Sequence, residues 1–146
     1  MKKVNVRKLI SCLCVCMVAV SACFSTKIMT FASYRDNKMQ VMDCNKPTEV
    51  WDISDDGEYS LSGHTNGLPL YTKYKFTGVK KYKIKIKNTG KDKVTVYTVK
   101  TVSKKQETIE PGKSKTFSYE PGKKSNKFYL KFDGKSVSVS GTVKEY

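Results

Sequence analysis

Histidine is nearly missing from this chain: among 146 residues only His64 occurs, between Gly63 and Thr65 in a stretch that predicts a surface loop. Nucleophilic triads and histidine metal sites need several such partners at workable spacing, so both are excluded. Phosphate-cradling glycine loops are absent too, and Asp52, Asp55, Asp56 and Glu58 do not follow calcium-loop spacing. No carboxylate pair stands out for hydrolysis. The expectation is a chain with no catalytic site, cofactor or metal. After residue 33 no window carries the apolar period of an amphipathic helix, which argues against a helical fold. Long apolar runs are equally scarce. The one from Leu9 to about Phe24 falls short of the ~20 residues that a membrane-spanning helix requires.

That run is preceded by Lys2, Lys3, Arg7 and Lys8, the positive start of a signal peptide spanning residues 1–32. Two processing sites compete. Thr30-Phe31-Ala32 offers small residues to signal peptidase and would leave Ser33 as the N-terminus. Val20-Ser21-Ala22-Cys23 resembles a bacterial lipobox, in which Cys23 would carry lipid and anchor the protein. The location expected is therefore secreted, or on the surface of a Gram-positive-like bacterium. Of five cysteines, Cys12, Cys14, Cys16 and Cys23 lie in the targeting segment. Cys44 alone has no intramolecular partner unless Cys23 is retained, and it reads as a small buried apolar residue.

The 114 residues after Ala32 suit one domain. Residues 33–48 show no period and predict an extended arm; residues 49–146 change character. Val50–Ile53, Glu58–Ser62, Tyr71–Phe76, Tyr82–Lys87, Lys93–Thr101, Lys115–Tyr119, Lys127–Phe132 and Ser136–Val143 are aromatic or β-branched and largely alternating. Turn signals separate them, including Asp56-Gly57, Gly63 to Gly67, Asn88-Thr89-Gly90 and two Glu-Pro-Gly-Lys runs at Glu110 and Glu120. About eight strands at this spacing predict a single all-β sandwich or barrel. Pairing Ile86 with Val94 and Ile84 with Val96 gives a hairpin with an apolar face and a face carrying Lys83, Lys85, Thr95 and Tyr97. Trp51, Leu61, Tyr74, Phe76, Phe117, Phe128, Leu130 and Phe132 complete the expected core.

Ile84-Lys85-Ile86-Lys87-Asn88-Thr89-Gly90, then Val94-Thr95-Val96, then Ile109-Glu110-Pro111-Gly112-Lys113-Ser114 and Phe117 resemble the Asn-x-Gly and Pro-Gly-x-Ser pattern of bacterial extracellular immunoglobulin-like domains. The resemblance, to the cell-adhesion-related kind, covers roughly residues 82–132. It implies an antiparallel β-sandwich, surface display and binding, with no catalytic residues to carry over.

Charge bears on partners. Lysine and arginine number 28 against 13 acids; five of the bases lie in residues 1–32, leaving 23 against 13, or +10, in the rest. Residues 33–70 hold 3 bases and 7 acids, and residues 71–146 hold 20 and 6. An anionic partner is favoured. Export makes nucleic acid an unexpected one. If strand 71–77 paired with strand 82–88, Lys73 and Lys75 would face Lys83, Lys85 or Lys87, and like charges directly opposite destabilise a sheet. Either the two strands lie in different sheets, or an anion neutralises the patch with Tyr97 offering an aromatic surface beside it. Two functions follow. One is a binding module for an anionic cell-wall polymer, acidic polysaccharide or membrane surface through Lys73, Lys75, Lys83, Lys85, Lys87 and Tyr97. The other is an interaction or structural module that meets another surface protein and whose lysines serve solubility.

Overall fold

The computed structural model describes residues 39–101 and 103–146. The expected signal peptide over residues 1–32, its two expected processing sites including Cys23, and residues 33–38 of the expected arm lie outside them. The described chain is mostly β. Its strands are β1 (Gln40–Val41), β2 (Val50–Asp52), β3 (Tyr59–Asn66), β4 (Leu70–Tyr71), β5 (Lys75–Thr77), β6 (Tyr82–Asn88), β7 (Val94–Val99), β8 (Lys104–Ile109), β9 (Ser114–Tyr119), β10 (Tyr129–Asp133) and β11 (Ser136–Glu145). A single helical turn, α1 (Ile53–Asp56), follows β2.

Three sheets form: a five-stranded one in the order β1-β3-β11-β6-β9, a four-stranded one in the order β4-β10-β7-β8, and the parallel pair β2-β5. All neighbours in the two larger sheets run antiparallel except β1 on β3. Alternation decides which side faces inward. β6 is buried at every second residue, so Tyr82, Ile84, Ile86 and Asn88 point in and Lys83, Lys85 and Lys87 point out. Both larger sheets feed one core that includes Leu61, Ile84, Ile86, Val94, Val96, Leu130, Phe132 and Val139. Its centre is aromatic: Trp51 lies 5.3 Å from Tyr59, Tyr59 5.0 Å from Phe76, and Tyr82 4.7 Å from Phe128, mostly edge to face. The core residues expected from sequence are buried, apart from Phe117, which is half-buried against the cluster.

The expected hairpin between residues 82–88 and 94–99 does not form. β6 pairs with β11 and β9, while β7 pairs with β10 and β8. The chain changes sheet at Asn88, whose buried side chain donates to the Asp92 and Ile109 carbonyls (2.8 and 3.1 Å) and accepts from Gly90 N (2.9 Å). Ile84, Ile86, Val94 and Val96 are buried either way, because facing across a core and pairing within a sheet satisfy the same alternation.

Other local expectations also change. Gly63 to Asn66 continue β3 instead of turning, so His64 sits on a strand, exposed and opposite Ser138. Cys44 is exposed, not buried. The Asp43 carboxylate accepts from Asn45 N (3.2 Å), and the bend this closes turns Cys44 outward. Residues 71–77 break in two at Thr72, whose hydroxyl donates to the Tyr74 carbonyl (3.0 Å) and accepts from Leu130 N (3.2 Å). The described part of the arm is extended and bonded into the sheets, with reciprocal Asp43–Tyr71 backbone bonds of 3.0 and 2.7 Å. The Glu110–Lys113 run is a tight turn closed by Lys113 N to the Glu110 carbonyl (3.1 Å), with Gly112 at the positive φ of 69° that a type II turn demands.

Candidate binding surfaces

Three of the six residues expected to bind come together. Lys83, Lys85 and Lys87 project from β6 on the outer face of the five-stranded sheet, about 6.8 Å apart from one to the next at two residues' rise. Register gives each a row of neighbours. Lys87 lies between Ser140 on β11 and Ser114 on β9; Lys85 between Thr142 and Thr116; Lys83 between Lys144 and Ser118. Ser62 and Ser60 on β3 extend the first two rows. The result is a face of ammonium and hydroxyl groups. A shallow groove of about 470 Å³ crosses it, lined by Met39, Ser60, Lys85, Lys87, Ser114, Ser140, Gly141 and Thr142.

Among the described residues none of the three β6 lysines has a carboxylate partner, whereas Lys81, Lys93, Lys105, Lys115, Lys131 and Lys144 each do. Lys83 stands directly opposite Lys144. Glu58, 3.7 Å from the Lys144 ammonium, eases this like-charge pair. The repulsion anticipated between Lys73 or Lys75 and the β6 lysines does not arise, because β5 pairs with β2 and residues 70–71 belong to the other sheet.

The remaining expected residues are dispersed. Lys73 is exposed with its ammonium 5.4 Å from the Tyr74 ring. Lys75 borders a separate cleft with Tyr129. Tyr97 is on the outer face of the four-stranded sheet, where Lys104 Nζ lies 3.6 Å and Lys131 Nζ 5.5 Å from its ring centre. The Asp133 carboxylate, 2.6 Å from the Lys131 ammonium, raises the pKa of that lysine. The hydroxyl rows were not anticipated. Their signal is present in the Ser-Val-Ser-Val-Ser-Gly-Thr-Val run from Ser136, where hydroxyls alternate with core valines.

The acids are used locally. Asp52 caps α1 by accepting from Ser54 N (2.9 Å), Asp56 accepts from Asp52 N (3.0 Å), and Glu58 serves Lys144. Among the described residues no three His, Cys, Asp or Glu side chains group to hold a metal, and no helix is long and apolar enough to cross a membrane. Compared with known proteins, the chain matches no family model and no curated protein.

Proposed function

We propose that this chain is an exported, non-catalytic binding module that holds an extended anionic envelope polymer on the lysine face of β6. The observation that carries the proposal is the run Lys83, Lys85, Lys87: evenly spaced, exposed, without carboxylate partners among the described residues, and lined by hydroxyls. Such a ladder concentrates positive charge, and a polyanion laid along it gains affinity by releasing bound counterions. The Ser and Thr rows supply donors and acceptors for sugar or phosphate oxygens. The groove beside them suits a chain-like ligand, and no acid lines it. Lysines that served solubility alone would have no need to share one face with hydroxyls. The same proposal takes the fold as an immunoglobulin-like sandwich, supported by two mainly antiparallel sheets around one core. Export rests on the signal-like residues 1–32, with Ser33 or a lipid-bearing Cys23 as the processed end.

The test compares K83E/K85E/K87E with the charge-matched K80E/K91E/K135E on isolated anionic cell-wall polymer at low salt. We expect the β6 variant to lose at least tenfold in retention and the control to lose far less. Equal losses would reduce binding to net charge, and unchanged retention of the β6 variant would remove this face.

A further inference from the structure

A second cleft lies at one end of the four-stranded sheet and shares no residue with the β6 face. It encloses about 320 Å³ and is lined by Lys75, Val99, Lys100, Thr101, Lys127 and Tyr129. We propose that it binds a phosphorylated sugar, with the phosphate among Lys75, Lys100 and Lys127 and the sugar ring against Tyr129 and Val99.

The backbone around it is held at many points. Phe76 and Phe128 exchange backbone bonds of 2.7 and 3.2 Å in an antiparallel bridge, which brings Lys75 alongside Tyr129. Thr77 Oγ1 and Gly78 N both donate to the Lys124 carbonyl, at 2.9 and 3.0 Å, and Asn126 Nδ2 donates to the Pro121 carbonyl at 2.6 Å. That same Pro121 carbonyl accepts from Lys100 Nζ at 2.9 Å. An ammonium has three protons, so Lys100 is fixed in place with two left for a ligand. Tyr129 and Val99 are paired across β10 and β7, both half-buried on the outer face, and make the apolar wall.

Ligand class follows from the mixture. Three ammonium groups with no carboxylate among the lining residues call for more charge than a carboxylate carries, and a phosphomonoester carries about −1.5 to −2 near neutrality. A bare phosphate would leave the Tyr129–Val99 wall unused. A neutral sugar would leave the lysines uncompensated. A sugar phosphate uses both walls, its ring stacking on the tyrosine face and its hydroxyls within reach of Thr101.

The experiment follows backbone amide shifts of the labelled full chain on titration with glucose 6-phosphate, its methyl phosphodiester, glucose and inorganic phosphate. Glucose 6-phosphate is expected to move the amides of residues 75, 99–101 and 127–129, and to bind at least tenfold more tightly than glucose or inorganic phosphate. Binding of the monoester alone would identify a free sugar phosphate or a phosphorylated chain end; equally tight binding of the diester, which carries only a single charge, would overturn the assignment of a phosphomonoester. In K75E/K127E the tight binding should disappear. Tyr129→Val, which keeps a strand-favouring side chain, should bring glucose 6-phosphate down to the affinity of inorganic phosphate without changing the latter. Inorganic phosphate binding as tightly as the sugar phosphate in the unaltered chain would overturn the proposal, as would K75E/K127E binding unchanged. K83E/K85E/K87E should leave these shifts intact, so the two sites stand or fall separately.

Discussion

Gly141 shows how closely β11 packs against β6. It lies opposite Ile86, and a Cβ at that position would run into the Lys85 carbonyl oxygen and come within 2.8 Å of Ile86 Cδ1. The carbonyl belongs to the strand that carries the lysine ladder and cannot rotate away as a side chain would. Gly141→Ala should therefore destabilise the fold by about 1–3 kcal/mol, the usual range for overpacking, read as a lower denaturant midpoint. Ile86→Ala errs the other way, leaving a hole in the core at a cost of about 2–5 kcal/mol. A Gly141→Ala variant as stable as the parent would mean that β6 and β11 are not held at this spacing. Tyr59 is a different kind of residue. Its hydroxyl is buried beside the Lys73 backbone without a hydrogen bond of normal geometry, and burial pushes its pKa upward.

Among the elements, β6 and β11 were legible because strict alternation of core and surface residues needs no knowledge of partners. Partner choice was not. Ile84, Ile86, Val94 and Val96 satisfy an intrasheet hairpin and a two-sheet arrangement equally, and the buried Asn88 that decides between them looks in sequence like an ordinary turn residue. β8 was hidden because only Ile109 of its six residues is buried, so an edge strand of Lys, Gln, Glu and Thr leaves no apolar period. The short helical turn α1 reads in sequence as the end of a strand, its cap concealed in the Asp-Ile-Ser-Asp-Asp run. The tyrosines within these elements set an alkaline limit. Burial raises the Tyr82 pKa to about 12 from the ordinary 10.0. The folded state thus favours the neutral phenol more strongly than the unfolded chain does. This contribution is complete below about pH 10 and is lost as pH rises toward about 12, with Tyr59 acting in the same direction. Denaturation midpoints should accordingly fall between about pH 10 and 12, and fall less in Tyr82→Phe. A flat profile across that interval would contradict the burial of both hydroxyls.

On the scale of the whole molecule, the uneven charge of the sequence becomes a difference between surfaces. Asp52, Asp56 and Glu58 are tied into a cap, a backbone bond and an ion pair, which leaves the lysines of β6 without a direct carboxylate partner among the described residues. The six residues grouped from sequence as one surface divide accordingly: Lys83, Lys85 and Lys87 share a face, Lys75 lines a separate cleft, and Lys73 and Tyr97 stand apart from both. Tyr97 was misplaced because its position beside Lys83 depended on the hairpin that does not form. The central claim is that the β6 ladder binds an anionic polymer by displacing counterions, and its most direct test is the affinity of the full chain for isolated anionic wall polymer across a salt series. With three lysine contacts the plot of log affinity against log salt should fall with a slope of about −2 or steeper, and K83E/K85E/K87E should flatten it by about two units. A slope near zero for the unaltered chain, or one that the triple variant leaves unchanged, would contradict the account.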